Sequence, residues 1–261
     1  MVRGMDRAAL DAAYNNAAAV KDSAQIVAQW ETRSARLRAA HPQGMDLRYG
    51  PDERNRIDFF AARRDAPVLA FIHGGYWQNR AKELFAFVAE GPLAWGVNVA
   101  LIGYTLAPHK RLDGIVAEIR AALDWLQSSM KMLGGSRVIV SGWSAGGHLT
   151  AMSMSHPAVT GGLAISGIYD LEPIRHCYVN DKLGLDEAEA KRNSPGRTDK
   201  PLYVVYGADE LPELCRQSED YAQLNGGKAA ALPRRNHFTV LEDLASPHGG
   251  LTALVRKLSN S

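Results

Sequence analysis

The chain of 261 residues has only two cysteines, no long apolar run and almost no net charge. Its two cysteines, Cys177 and Cys215, show no CxxC spacing and no neighbouring pair of histidines, so the sequence indicates neither a disulfide framework nor a zinc site. No apolar run reaches the roughly 18 residues of a membrane span, and the first residues lack the apolar stretch of a signal peptide. We therefore expect a cytoplasmic protein that has no metal and no membrane partner.

A strong excess of charge is missing as well. Thirty Lys and Arg residues stand against 28 Asp and Glu residues, and the formal net charge is +2. Such a balance gives no field that would attract nucleic acid, so we expect no nucleic-acid partner. Hydrophobic residues make up 46% of the chain, which is enough for a sizeable core. With no repeat, low-complexity tract or long linker in view, a single domain over residues 1–261 is predicted.

The order of hydrophobic segments predicts an α/β fold, with a mostly parallel, twisted sheet covered by helices on both faces. Two helices are predicted between Asp6 and about His41, and this N-terminal helical segment, residues 1–41, is a candidate part of a lid. Residues 169–200 have the weakest pattern and are predicted to form an irregular excursion over the site. Strands are predicted over 55–62, 67–72, 97–104, 137–143, 162–169, 202–207 and 229–232. In such a sheet, functional groups lie at the carboxyl ends of the strands.

The segment Gly142-Trp143-Ser144-Ala145-Gly146 matches the pattern G-x-S-x-G. An apolar strand precedes it and a helix-forming stretch follows it, which is the setting that a nucleophile elbow requires. The sharp turn needs glycines because side chains would collide around a serine in strained geometry. Ser144 is therefore the predicted nucleophile, and the alternative is a structural glycine turn with an incidental serine.

A serine hydroxyl is a poor nucleophile at neutral pH, so a histidine must accept its proton. In this fold the chain order is serine, acid, histidine. His237 comes just after the last predicted strand, where such a base belongs. His248 is the competitor, but it lies at the N-terminal edge of what reads as the last helix.

A carboxylate is needed to orient that histidine. Asp209 follows the apolar strand 202–207 and is the predicted acid, while the neighbouring Glu210 is expected to point elsewhere. Asp170 also follows a strand, one position earlier in the order, and stays as an alternative because the acid can lie there in some proteins of this fold.

The negative charge that develops on the substrate oxygen needs N–H donors aimed at it in advance. The loop His73-Gly74-Gly75-Tyr76-Trp77 follows an apolar strand and can supply them, so the N–H groups of Gly75, Tyr76 and Ala145 are the predicted oxyanion hole. The alternative is a plain glycine turn. His73 and Trp77 are expected to hold and support the loop, and His148 to be a structural residue of the following helix.

Four motifs together carry a resemblance to a known family: HGGYW at 73–77, GWSAGGH at 142–148, GADE at 207–210 and NHF at 236–238. They resemble the kynurenine formamidase (arylformamidase) branch of the α/β-hydrolases over about residues 68–240. The resemblance implies hydrolysis of N-formyl-kynurenine to kynurenine and formate, without metal or organic cofactor. It also implies a Ser-Asp-His triad on Ser144, Asp209 and His237 and an oxyanion loop at Gly74–Tyr76.

The substrate is less sharply indicated, because bacterial proteins with HGGYW also resemble small-acyl carboxylesterases and amidases. Tyr76 stands where esterase relatives have a third glycine and is expected to restrict the acyl site to formyl or acetyl groups. Trp143 and Phe238 are candidate contacts for an aromatic leaving group, or else core residues. A non-catalytic binding protein on the same fold is the alternative of another class. The oligomeric state stays open, with a homodimer as one option.

Overall fold

One eight-stranded sheet organises the protein in the computed structural model, which describes residues 2–260. The strands are β1 (Leu47–Arg48), β2 (Arg56–Phe60), β3 (Ala66–Ile72), β4 (Asn98–Ile102), β5 (Gly135–Trp143), β6 (Val159–Ile165), β7 (Leu202–Gly207) and β8 (Ala230–Leu232). Their order across the sheet is β1-β2-β4-β3-β5-β6-β7-β8. β1 and β2 pair antiparallel with their neighbours, and the pairs from β4 to β8 are parallel. The expected mostly parallel α/β sheet is confirmed.

Twelve α-helices fill the connections of the described chain. They are α1 (Arg7–Ala13), α2 (Asn16–Ala19), α3 (Ser23–Ala40), α4 (Glu90–Ala94), α5 (Leu112–Leu133), α6 (Ala145–Ser153), α7 (Glu172–Arg175), α8 (Asn180–Leu183), α9 (Glu187–Arg192), α10 (Pro212–Leu224), α11 (Glu242–Ala245) and α12 (Gly250–Ser259). Short 3₁₀ helices cover Pro42–Gly44, Lys82–Ala89 and Thr239–Leu241. No helix within residues 2–260 has the length and apolar character needed to cross a membrane.

The N-terminal segment forms three helices, so the expectation of two was wrong. The side chain of Asn15 accepts a hydrogen bond from the N–H of Ala18 and starts α2 as a separate turn. Val20 then adopts an extended conformation and ends it. A second difference concerns β6, which ends at Ile165 rather than at the expected Tyr169. Ser166 has φ of 50°, a left-handed conformation that a strand cannot contain.

The segment 169–200, expected to be irregular, contains the three short helices α7, α8 and α9. It therefore has defined local structure, although it lacks the long periodic pattern by which a helix is recognised in a sequence. The helix α5 ends at its C-cap Gly134, which adopts φ of 69° and closes the helix in the left-handed cap that glycine favours.

The long helix α3 belongs to the hydrophobic core. Its Trp30 is fully buried and stacks on Phe87 at 5.1 Å between ring centroids. The edge of Trp30 also meets the Trp143 ring at 5.7 Å, next to the predicted nucleophile. Burying an aromatic side chain of this size stabilises the fold by about 2–3 kcal/mol. α3 is thus fixed against the sheet, whereas α2 lies nearer the candidate site.

A buried ionic cluster joins α3, β2 and the 3₁₀ helix over Lys82–Ala89. Asp58 in β2 is fully buried, and its carboxylate accepts hydrogen bonds from Nζ of Lys82 at 2.7 Å and from Nε of Arg38 at 2.8 Å. Lys82 is buried too and also contacts Asp46 and Glu83, both at the surface end of the cluster. If Asp58 lost Lys82, its carboxylate would stay desolvated with Arg38 as its remaining cationic partner.

We therefore expect Lys82→Ala to lower the free energy of unfolding by about 3–5 kcal/mol, since it leaves Asp58 without its ammonium partner. Urea denaturation monitored by tryptophan fluorescence measures the change. Lys131→Ala, at an exposed position near the end of α5, is the matched control and should change stability little. Equal effects of the two substitutions would contradict the role of the cluster.

Candidate active site

Ser144 lies between the carboxyl end of β5 and the start of α6, the setting that the sequence predicts. Its backbone has φ of 59° and ψ of −120°, which a residue with a side chain adopts only under strain. The N–H of Ser144 donates to the carbonyl of Ile165 at 2.9 Å, so the neighbouring strand holds the turn in place. The serine is buried at the base of a cavity, and α6 starts directly after it.

Two glycines make this turn sterically allowed. A Cβ atom on Gly146 would lie 1.9 Å from the carbonyl oxygen of Ile72, at the end of β3. One on Gly142 would lie 2.3 Å from the carbonyl oxygen of Gly146. Both distances are far below any real contact, so the glycines of G-x-S-x-G allow α6 to start directly against the sheet.

His237 and Glu210 form a hydrogen-bonded pair beside Ser144. Nδ1 of His237 donates to Oε2 of Glu210 at 2.7 Å, and both side chains are buried. The other carboxylate oxygen accepts from the Ser166 hydroxyl at 2.5 Å and from the N–H of Gly207 at 2.6 Å. Hydrogen bonds therefore hold both carboxylate oxygens of Glu210 in place. Its bond to Nδ1 leaves Nε2 of His237 as the nitrogen that can accept a proton.

The expectation that Asp209 is the acid was wrong, because the structure places Glu210 against His237. Asp209 is exposed, and its N–H donates to the carbonyl of Arg235. The chain turns after β7, with the N–H of Glu210 donating to the carbonyl of Gly207 at 3.1 Å. The fourth residue of this turn points back towards the site, and the longer glutamate side chain reaches His237. The turn-forming GADE sequence is the signal that could have indicated this outcome.

The two remaining alternatives lie elsewhere. The carboxylate of Asp170 accepts from the N–H of Glu172 at the start of α7. His248 is exposed on the loop before α12. Neither residue lines the cavity that contains Ser144 and His237.

The loop after β3 has an unusual backbone. Gly75, Tyr76 and Trp77 have φ of 113°, 51° and 60°, three consecutive residues in the left-handed half of φ space. The N–H groups of Gly75 and Tyr76 form no hydrogen bond within residues 2–260. The N–H of Ala145 heads α6, where no preceding helical turn can accept it. These three free donors are consistent with an oxyanion hole, and that role stays a prediction.

Two buried histidines support this loop without facing the substrate. The indole N–H of Trp77 donates to Nδ1 of His148 at 3.2 Å, and Nε2 of His148 donates to the carbonyl of Asn193 at 2.7 Å. Burial lowers the pKa of His148 to about 4, so it is neutral at pH 7. His73 stacks on Tyr104 at 4.3 Å and donates from Nδ1 to the Gly74 carbonyl, and burial lowers its pKa to about 3. Both are structural residues, as the sequence predicts.

A cavity of about 390 Å³ opens over Ser144 and His237. The turn before α2, the loop after β3 and the segment before α8 form its walls. Its lining residues are Asn15, Asn16, Ala17, Gly75, Tyr76, Gln78, Asn79, Arg80, Trp143, Ser144, Tyr178, Val179, His237 and Phe238. The N-terminal segment therefore contributes to the cavity, although through α2 rather than through the core helix α3.

The three predicted substrate contacts all line this cavity. The hydroxyl of Tyr76 donates to the carbonyl of Tyr14 at 2.5 Å and accepts from Nδ2 of Asn16 at 3.1 Å, so the ring forms a fixed wall. Trp143 and Phe238 are also part of the core around Trp30, and the Trp143 indole donates to the His237 carbonyl at 2.7 Å. Both rings thus pack in the core and present part of their surface to the cavity.

This chain is similar to known proteins over most of its length. A family model described as the alpha/beta hydrolase fold matches residues 69–224. The kynurenine formamidase of Danio rerio is 30% identical over 89% of this chain and 87% of its own. The chain belongs to the kynurenine formamidase branch of the α/β-hydrolases.

Other relatives of this hydrolase carry esterase names. Esterase LipC of Mycobacterium tuberculosis is 32% identical over 75% of this chain and 53% of its own length. A solved structure from Silicibacter sp. tm1040, named as a thioesterase, superimposes with a TM-score of 0.87 at 27% identity, covering 95% of this chain and 98% of that one. Hydrolysis is common to these names, whereas the substrate differs among them.

We expect Glu210→Gln to lower kcat of the hydrolase by about 10³–10⁴-fold, because an amide cannot hold the His237 tautomer or stabilise its cation. Asp209→Asn, one residue away, is the matched control and should leave kcat within about a factor of two, since Asp209 is exposed. Initial rates on p-nitrophenyl acetate measure both. A large loss for Asp209→Asn with a small one for Glu210→Gln would reverse the assignment.

Proposed function

We propose that this hydrolase cleaves N-formyl-kynurenine to kynurenine and formate, with Ser144 as nucleophile, His237 as base and Glu210 as the orienting acid. The observation that carries the mechanism is the 2.7 Å bond from His237 to Glu210, with His237 and Ser144 lining one cavity. The substrate rests on the kynurenine formamidases of Danio rerio and Salmo salar, which are 30% and 31% identical to the chain.

The acylation step follows from this arrangement. Oγ of Ser144 attacks the formyl carbon while Nε2 of His237 accepts the hydroxyl proton, and Glu210 stabilises the imidazolium. The oxygen of the tetrahedral intermediate gains negative charge and accepts hydrogen bonds from the free N–H groups of the oxyanion loop. When the C–N bond breaks, His237 returns the proton to the aniline nitrogen. Kynurenine leaves, and the formyl group remains on the serine.

Deacylation repeats the sequence with water. His237 takes a proton from the water molecule that attacks the formyl ester, and it then protonates Oγ of Ser144 as formate departs. Tyr76 limits the acyl side, because its anchored ring cannot turn away from the cavity to admit a long chain. A formyl group, which has only hydrogen on its carbonyl carbon, needs the least space there.

The catalytic unit has a direct kinetic signature. Ser144→Ala and His237→Ala should each lower kcat by several orders of magnitude, and the double variant should be little worse, because the groups act together. Turnover of N-formyl-kynurenine gives the rates, and labelling by a fluorophosphonate probe reports the activated serine. If the loss of kcat in the double variant equalled the product of the two single losses, the residues would act independently, which would contradict a shared mechanism.

Acyl-chain selectivity tests the role of Tyr76. Along a series of p-nitrophenyl esters, kcat/KM should fall steeply from the acetyl to the hexanoyl ester. Tyr76→Ala removes the ring from the cavity wall and should raise kcat/KM for the hexanoyl ester, relative to the acetyl ester, by about tenfold. Tyr76→Phe keeps the ring but loses the two hydrogen bonds that anchor it, so the acetyl preference should fall less than in Tyr76→Ala. An optimum at hexanoyl in the unmodified protein would overturn the small-acyl assignment.

A small-acyl carboxylesterase is the second candidate, favoured by the similarity to Esterase LipC. Turnover of p-nitrophenyl acetate without detectable turnover of N-formyl-kynurenine would favour it. A non-catalytic binding protein of this fold would show neither reaction and no labelling by the fluorophosphonate probe.

A further inference from the structure

Arg80 brings a permanent positive charge to the wall of the cavity. His237 is the other lining residue that can carry charge, and no Asp or Glu lines the cavity among residues 2–260. Glu210 lies behind His237 and is already bonded to three donors. The site therefore has an excess of positive charge that nothing in its wall neutralises.

The guanidinium of Arg80 forms neither a hydrogen bond nor an ion pair within residues 2–260, where only its backbone carbonyl is bonded. Two other partly buried arginines have carboxylate partners: Arg33 pairs with Glu90 and Glu242, and Arg38 with Asp58. Burial lowers the pKa of Arg80, with no opposing contribution from a carboxylate. Keeping a partly desolvated cation without a counter-ion is costly, and an anionic group on a ligand would reduce this cost.

The backbone holds Arg80 next to the oxyanion loop. Its φ is 74°, a strained value for a residue with a long side chain. Its carbonyl accepts a hydrogen bond from the guanidinium of Arg54 at 2.6 Å, which stabilises this conformation. The stem of Arg80 packs against Gly75, where a Cβ atom would lie 3.3 Å from Cγ of Arg80. Strain of this kind persists where the surroundings enforce it, often at functional sites.

We propose that Arg80 binds a carboxylate on the leaving-group part of the substrate and makes the hydrolase selective for anionic aryl formamides or esters. The planar guanidinium can form two parallel hydrogen bonds with a carboxylate, which fixes orientation as well as charge. Because the charge is partly desolvated and unpaired, its attraction for an anion is stronger than that of an exposed arginine. The formamide form of this selectivity rests on the function proposed above.

Matched substrates isolate the carboxylate. The acid 4-(2-formamidophenyl)-4-oxobutanoate retains the aryl formamide and a carboxylate, whereas 2-formamidoacetophenone retains the formamide alone. The unmodified protein should prefer the acid by about tenfold or more in kcat/KM, mainly through a lower KM. The esters 4-acetoxybenzoate and phenyl acetate form a second pair that tests Arg80 even if formamides are not cleaved. Absence of formamide cleavage would overturn the formamidase assignment, and the ester pair would then decide the Arg80 proposal.

The variants Arg80→Gln and Arg80→Lys test the residue itself. Arg80→Gln should reduce the preference for the anionic partner about tenfold or more, and Arg80→Lys should retain part of it because the charge remains. Arg120→Gln on α5 removes the same charge from a residue that does not line the cavity and is the matched control. Fluorophosphonate labelling shows that the serine of each variant is still active. The proposal would be overturned if Arg80→Gln lowered kcat/KM equally for the anionic and the neutral substrate of a pair, or if it left the preference for the anionic substrate unchanged.

Discussion

The close contact between the start of α6 and the end of β3 is the constraint on which the site depends. Gly146 lies so near the carbonyl of Ile72 that a single methyl group would occupy the same space. Only this contact allows the helix to begin at the residue after Ser144, which forces the serine into its left-handed conformation. The strain is offset by the surrounding parallel sheet, because β5 is paired on both sides by β3 and β6.

Two further strand ends complete the arrangement. The turn after β7 supplies Glu210 and the loop after β8 supplies His237, so the carboxyl ends of β5, β7 and β8 bring Ser144, Glu210 and His237 together. Trp143 connects this chemistry to the core: its indole bonds to the His237 carbonyl, and its ring meets Trp30 of α3. Through Trp30 and Trp143, the helix α3 thus supports the position of His237, although no residue of α3 lines the cavity.

The specificity side of the cavity has a different origin. Tyr76 and Arg80 belong to the loop after β3, and both are held by backbone conformations with positive φ. The hydroxyl of Tyr76 ties this loop to the turn before α2, while the carbonyl of Arg80 is held by Arg54. Under the proposed function, one loop controls acyl size and leaving-group charge and also holds the predicted oxyanion donors. A substitution in this loop can alter selectivity while the nucleophile and base stay in place.

The amino-acid sequence by itself determined the parallel part of the sheet, the turn at Ser144 and the position of His237, because hydrophobic runs and glycines act on residues close in the chain. It also indicated the family through four short motifs. It did not indicate the two-residue strand β1, which is too short to form a pattern. Two other features, the identity of the acid and the unpaired charge of Arg80, depended on the path of a turn and on contacts between residues that are distant in the chain. The choice of Glu210 over Asp209 was decided by the turn after β7, which buries one carboxylate and exposes its neighbour. The isolation of Arg80 was likewise visible only in three dimensions, since a missing counter-ion is a property of everything packed around a charge.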